Sequence, residues 1–260
     1  MAEKILFDTH VHLNDKRFLA DIDNVVKKAM ENGIKKMVCV GYDIASSLQA
    51  IDLAYRYNGL IYAAVGIHPN DCNGISEKDW QRLETMLDEP CVVALGEIGL
   101  DYYWDSVKHD VQKEFFIRQI NLAKKKNLPI IIHSRDALQD TFDILKSEDI
   151  SSIGGIMHSY SGSAAMASEF VKLNMMISLS GVITFNNARQ TKEVAQAIDL
   201  DRLLIETDCP YLTPMPYRGK TNYPEYTYYV AAEIAKQKCL EITEVMEKTY
   251  HSACEIFKIK

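Results

Sequence analysis

Residues 92–97 read Val92-Val93-Ala94-Leu95-Gly96-Glu97, a short β-rich run that ends on a carboxylate. Four consecutive apolar residues without helical spacing suit a strand buried on both faces. A charge at the end of such a run is costly to bury unless a cation or donor meets it. The same construction recurs in both directions along the chain. Strand-like runs at residues 5–7, 37–40 and 61–65 precede it, and others follow at 130–132, 155–157, 176–179 and 203–205. Longer amphipathic stretches separate them. Residues 111–126, for example, set Phe115, Ile117, Ile120, Leu122 and Ala123 near one face with Lys and Gln opposite. Eight strands alternating with helices predict an α/β fold of parallel strands joined by right-handed crossovers.

Length favours closing those strands into a (β/α)8 TIM barrel, which uses about 250 residues. The chain has 260 and shows no linker, so a single domain over 1–260 is expected. An open doubly wound sheet would share the same alternation and differ only in closure. The longest weakly patterned stretch, 209–224, holds four of the seven prolines, and a loop of that length in a compact domain is usually functional or a lid. Two helices, at about 226–238 and 244–257, follow it.

Composition sets the outer bounds. The 29 Lys and Arg against 36 Asp and Glu leave a net charge of −7, which argues against coating nucleic acid by bulk positive charge. It leaves room for a local phosphate site, since a bound cation is not counted in the sequence. Lys124, Lys125 and Lys126 close a predicted helix and read as a solvated end that complements its dipole. No apolar run approaches the roughly 20 residues of a membrane span. The start, Met1-Ala2-Glu3-Lys4, predicts no signal peptide. Six scattered cysteines without a Cys-x-x-Cys suit packing residues in a reducing cytoplasm.

The positions of the ionisable residues carry the functional reading. His10 and His12 follow the first predicted strand, His68 the third, Glu97 the fourth, His133 the fifth, His158 the sixth and Asp208 the eighth. In a parallel barrel all strand C-termini open on one face, so these residues converge on one pocket. A lone His-x-His is as easily a surface pair as a metal site. At a strand end, however, alternate residues point the same way, and both rings can reach one ion. Asp8 either supports such a ligand or caps the strand. Four imidazoles, His10, His12, His133 and His158, with carboxylates Glu97 and Asp208, suit Zn, Mn or Ni, whereas a pure Mg site would want more oxygen. Six ligands exceed the three of a mononuclear catalytic zinc site and can serve two divalent ions if Glu97 bridges. Two such ions can hold a hydroxide nucleophile and clamp a phosphoryl oxygen.

Several motifs together resemble the TatD family of metal-dependent deoxyribonucleases. They are Asp8-Thr9-His10-Val11-His12, Val65-Gly66-Ile67-His68-Pro69 and Gly96-Glu97-Ile98-Gly99-Leu100-Asp101-Tyr102. With them come Ile132-His133-Ser134-Arg135, His158-Ser159-Tyr160-Ser161-Gly162-Ser163, Glu206-Thr207-Asp208-Cys209-Pro210-Tyr211-Leu212 and Arg218-Gly219-Lys220. They stand in family order and span residues 5 to 255. The resemblance implies a barrel hydrolase of the amidohydrolase type that cuts DNA phosphodiesters with divalent metal ions (Zn, Mg, Mn or Ni), as an exonuclease on single strands or ends. It assigns His10, His12, Glu97 and Asp208 to one ion and Glu97, His133 and His158 to the other, with His68 on substrate phosphate. Arg135 then binds a phosphate oxygen or pairs with a carboxylate. This chain departs from the family at Thr221 and Tyr223, where Arg and Glu are usual, and at Ser159-Tyr160 and Cys209. All proposed ligands are spared.

The mechanism so implied has Asp208 accept or steer the proton of an attacking water, with His68 and Arg135 or Arg218 offsetting charge on oxygen. Tyr211, Tyr217, Tyr223, Tyr226, Tyr228 and Tyr229, in or after the long loop, either stack on bases or pack the loop onto the barrel, and Trp104 has the same two readings. Ester, lactone or aminoacyl hydrolysis on the same face is the competing activity. A non-catalytic binding protein would show little metal. No protein partner and no membrane are expected.

Overall fold

In a computed structural model that describes residues 4–104 and 106–260, eight strands form one sheet in the order β1 to β8. They are β1 (Leu6–Val11), β2 (Ile34–Val40), β3 (Ile61–Val65), β4 (Val92–Asp101), β5 (Ile130–Arg135), β6 (Gly155–Met157), β7 (Met175–Leu179) and β8 (Leu203–Ile205). Each neighbouring pair is parallel. The sheet comes round on itself where backbone bonds join β1 to the segment beyond β8: Asp208 N donates to His10 O at 2.9 Å and His12 N to Cys209 O at 2.9 Å. This is the expected (β/α)8 barrel. Met1 to Glu3, on which the reading of no signal peptide rests, lie outside the described residues.

Strand alternation divides the apolar residues into two bodies. Met37, Cys39, Ala63, Ile130, Ile132, Ile177 and Leu203 face outward and join the large cluster beneath the helices. Phe7, Val38, Ala64, Ile131, Ile156 and Leu204 fill the barrel interior, and the rings of Tyr250 and Phe257 close on Phe7 at 6.0 and 5.8 Å. The interior is therefore packed below and polar above.

The surrounding helices are α1 (Lys16–Leu19), α2 (Ile22–Glu31), α3 (Ile44–Arg56), α4 (Glu77–Met86), α5 (His109–Lys126), α6 (Leu138–Ser147), α7 (Ala164–Lys172), α8 (Arg189–Ala197), α9 (Thr227–Lys238) and α10 (Ile242–Ile256). Their starts follow capping chemistry: reciprocal Asp43–Ser46 and Ser76–Asp79 boxes open α3 and α4. Left-handed Asn127 ends α5 after its three lysines, as the helix-end reading requires. Among the described residues no helix is long and apolar enough to cross a membrane.

Two register shifts shape the mouth. In β1, Asp8 pairs with Met37 but Val11 with Cys39, and in β4, Leu95 pairs with Ile130 but Ile98 with Ile132. Each inserts one extra residue, and such bulges re-aim side chains. His10 of β1 and Glu97 of β4 lie at these two bulges. Close approach between strands is secured by glycine: a Cβ on Gly99, whose φ is +139°, would stand 2.0 Å from His133 O.

Candidate metal centre

Four side-chain atoms from three parts of the chain meet at the top of the barrel. His10 Nε2 lies 3.2 Å from His12 Nε2, 3.5 Å from Glu97 Oε2 and 3.8 Å from Asp208 Oδ1. His12 Nε2 is 3.9 Å from Glu97 Oε2 and 3.3 Å from Asp208 Oδ1. A tetrahedral ion with bonds of about 2.0–2.1 Å places its ligands roughly 3.3 Å apart. The other oxygen of Glu97 faces a second group, with Oε1 2.9 Å from His133 Nδ1 and 3.2 Å from His158 Nε2. Glu97 thus turns one oxygen to each set.

Hydrogen bonds on the far sides of the rings settle which nitrogens offer lone pairs. His12 Nδ1 is 3.0 Å from the Val40 carbonyl, which can only accept, so a neutral His12 turns an unprotonated Nε2 inward. His158 Nδ1 meets Glu206 Oε1 at 3.0 Å and His133 Nε2 meets Asp101 Oδ2 at 3.0 Å. In their neutral form both rings then aim a lone pair at Glu97. Lone pairs facing a carboxylate at these distances repel unless a positive charge lies between them, either a proton, as the raised pKa of His158 shows, or a metal ion that takes the proton's place. The donor set therefore fits divalent cations, and the carboxylates behind the rings are the supports that such ligands use. His10 is held differently: its ring stacks on His158 with centroids 4.0 Å apart, and its Nδ1 has no hydrogen-bond partner among the described residues.

The electrostatics follow from burial and these neighbours. Burial works against the charge on Glu97, yet His158, His10 and His133 hold its pKa well below the usual carboxylate range. Burial opposes ionisation of Asp208 too, and His12 with His158 outweighs it, so its pKa is lowered. His158 is desolvated but raised well above the ordinary imidazole by Glu97 and Glu206. His10 moves down through burial and the nearby His158. Negative charge is concentrated on two carboxylates and balanced by imidazoles.

His68 stands apart. Its Nε2 is 3.8 Å from Glu97 Oε1, but its Nδ1 accepts the Asn70 N–H at 3.2 Å. The inward nitrogen therefore carries the proton and is a donor. Burial, with His133 adjacent, pushes its pKa down to about 3, so the ring is neutral.

The site opens into a cavity of about 410 Å³ lined by His12, His68, Glu97, His133, His158 and Asp208, and by Arg135, Trp104, Tyr42 and Tyr211 at its rim. Arg135 lies with its guanidinium 3.7 Å over the Tyr103 ring. Arg218 is not among the lining residues; it lies 4.2 Å over the Phe185 ring. A second cavity of about 430 Å³ sits at the opposite end of the barrel, around Arg202, Lys248 and His251, where this fold places stability rather than chemistry. The long loop is pinned by buried Asn222, which donates to Thr207 O at 2.9 Å and Tyr211 O at 2.6 Å. Tyr217, Tyr226 and Tyr229 pack on one another, and of the loop tyrosines Tyr211 alone lines the cavity.

Two supporting carboxylates, Asp101 and Glu206, received no role from the sequence. Both are charges within or just after an apolar strand, the signal that identified Glu97. Asp8 reaches the ligand His10 through its backbone, with Oδ1 3.4 Å from His10 N. It accepts Thr207 N at 2.8 Å and Thr207 Oγ1 at 2.6 Å, tying β1 to the segment after β8.

Comparison with known proteins gives one consistent match. A family model described as "TatD related DNase" matches residues 7–258. The "Uncharacterized metal-dependent hydrolase YabD" of Bacillus subtilis (strain 168) is 46% identical over 255 residues, covering 98% of this chain and 100% of the relative. The "Uncharacterized metal-dependent hydrolase YcfH" of Escherichia coli (strain K12) is 35% identical over 257 residues, covering 98% and 96%. Among solved structures, the TatD homologue YJJV from Escherichia coli K12 superposes with a TM-score of 0.93 at 30% identity, covering 98% of each chain.

Proposed function

This chain belongs to the family of TatD-related DNases and is a metal-dependent hydrolase, and from that premise we propose that it cuts phosphodiester bonds of DNA, working from strand ends. The observation that carries this reading is the division of Glu97, one oxygen toward His10 and His12 and the other toward His133 and His158. His10, His12, Glu97 and Asp208 would hold one divalent ion, and Glu97, His133 and His158 a second. When bound, such ions would lower the pKa of a bound water toward neutrality and offset charge on a phosphoryl oxygen.

The remaining work falls to the chain. Asp208, ionised and beside His12, accepts the proton of the attacking water. Neutral His68 donates its inward N–H to a phosphoryl oxygen without bringing a competing charge. Arg135 offers its N–H edge at the cavity rim. Arg218, on the loop outside the cavity, meets a phosphate further along the strand. A cavity ringed by strand ends at one mouth of the barrel admits a chain end more readily than the middle of a duplex. The cysteines of this structure are all free, which suits work in the cytoplasm.

Digestion of end-labelled single and double strands, run beside ester and lactone substrates and a metal titration, tests the reading. Metal-dependent release of nucleotides from an end supports it. Hydrolysis of esters with intact oligonucleotides overturns it in favour of carbonyl substrates.

A further inference from the structure

Aromatic side chains usually bury their large apolar area, so where they are left in water is informative. Among the described residues, five aromatic side chains are more than a third exposed: Tyr42 37%, Tyr55 54%, Tyr103 53%, Trp104 53% and Tyr211 49%. Four of the five stand at the mouth of the one cavity that holds the metal-ligating cluster. Tyr42, Trp104 and Tyr211 line it, and Tyr103 sits edge-on to Trp104 with centroids 4.9 Å apart.

Their placement is opposed. Tyr103 and Trp104 follow β4, while Tyr211 follows β8. In a barrel ordered β1 to β8 these strands lie four places apart, on opposite sides. Tyr42, after β2, joins Tyr211 around His12: both rings stand edge-on to it, at 5.9 and 6.2 Å. Each lip is also braced by a guanidinium. Arg135 lies 3.7 Å over Tyr103, and Arg17 lies 4.5 Å over Tyr211. Arg17 is itself held by two 2.9 Å bonds to Asp15. On the β4 side, Asp101 Oδ1 accepts the backbone N–H groups of Tyr103 and Trp104 at 3.0 and 3.3 Å, while its Oδ2 faces His133. One carboxylate thus fixes both the platform and a centre histidine.

Charge at the mouth points the same way. Asp15, Asp71 and Asp101 line the cavity beside Glu97 and Asp208, against Arg135 as its one lining arginine or lysine. Protein charge of that balance grips a phosphate backbone weakly. Base–aromatic stacking, by contrast, is indifferent to sequence and to that charge. It requires bases that are free of a partner strand.

We propose that Trp104 and Tyr103 on one lip, and Tyr211 and Tyr42 on the other, are stacking platforms for the nucleobases flanking the scissile phosphate. This rests on the phosphodiester reading above. The test compares a single-stranded oligothymidylate with the same sugar–phosphate chain carrying abasic tetrahydrofuran residues. The wild type should show a KM about tenfold lower for the base-bearing chain. Trp104→Ala and Tyr211→Ala should raise that KM by about tenfold each, with kcat moving less, so that discrimination against the abasic chain collapses. Tyr55→Ala, an exposed aromatic on α3, should leave it unchanged. Because Trp80 is buried, emission from exposed Trp104 should be quenched by a nuclease-resistant phosphorothioate oligonucleotide and not by an abasic one. Equal KM for the two chains, or unaltered KM in both alanine variants, overturns the platforms while leaving phosphodiester hydrolysis standing. Failure of the wild type to cleave either chain while hydrolysing esters overturns both.

Discussion

Glu206 Oε1 lies 3.0 Å from His158 Nδ1 and 2.8 Å from Ser159 N, so one fully buried carboxylate oxygen holds a ring and the backbone that follows it. Asp101 Oδ2 holds the ring of His133 at 3.0 Å from the other side of the barrel. Supports of this kind set ring orientation and basicity, and losing one typically costs 10–100-fold in metal affinity. Glu206→Gln and Asp101→Asn should each weaken zinc binding within that range, measured by competition with a chromophoric chelator. Unchanged affinity in both would show that the rings are oriented by something else.

Asp208 and Glu97 should separate in a similar comparison. Asp208→Asn removes the proton acceptor but keeps its shape, and turnover should fall by roughly 10²–10⁴ while KM moves less. Glu97→Ala should instead remove metal, read by elemental analysis of the purified protein. Near-wild-type turnover of Asp208→Asn with full metal content would exclude the acceptor role.

Metal and fold should be linked. Ions that bind the folded chain alone stabilise it by about 4 kcal/mol when present at a thousand times their Kd. Chelation should therefore lower Tm in wild type, and the shift should vanish in Glu97→Ala.

His68 gives a pH prediction with a definite sign. Its pKa sits at about 3 when folded against 6.5 unperturbed. The unfolded chain therefore binds the extra proton between those values, and this group's contribution, present above pH 6.5, is lost as pH falls toward 3. At about 1.4 kcal/mol per pH unit, metal-free wild type should lose about 2 kcal/mol more than His68→Asn between pH 6.5 and 5. Denaturant unfolding at the two pH values reads the difference. Parallel losses would mean that His68 is not held neutral by its surroundings.

Gly99→Ala places a methyl 2.0 Å from His133 O at a backbone angle that disfavours side chains. The expected loss is about 2 kcal/mol or more, with metal affinity falling alongside because β5 carries His133. Urea unfolding and metal titration together distinguish it from a surface change.

All eight strands were legible as apolar runs, and their exits carry the residues that the structure brings together at the barrel top. The ends were less legible. β2 begins at Ile34 rather than at 37 because Lys35 and Lys36 hide it, and β4 runs to Asp101 rather than 95 because Gly96, Glu97 and Gly99 are poor strand formers. The bulges at His10 and Glu97 were invisible, since an extra residue in one strand is defined only by its partner. For the same reason Asp101 and Glu206 went unassigned: which ring nitrogen a carboxylate meets is decided by residues tens of positions away. Of the loop tyrosines, sequence did not separate Tyr211 from those that pack together, because all share one composition.

The seam between β1 and the end of β8 sets the time at which the protein acquires its chemistry. Asp8 and Thr207 are 199 residues apart, and Asp208 and Cys209 zip directly onto His10 and His12. During synthesis, a nascent chain that has not reached this point has its first strand fastened on the β2 side alone and lacks its fourth donor. A chain cut short of Asp208 therefore lacks both that donor and the seam that aligns it with His10 and His12.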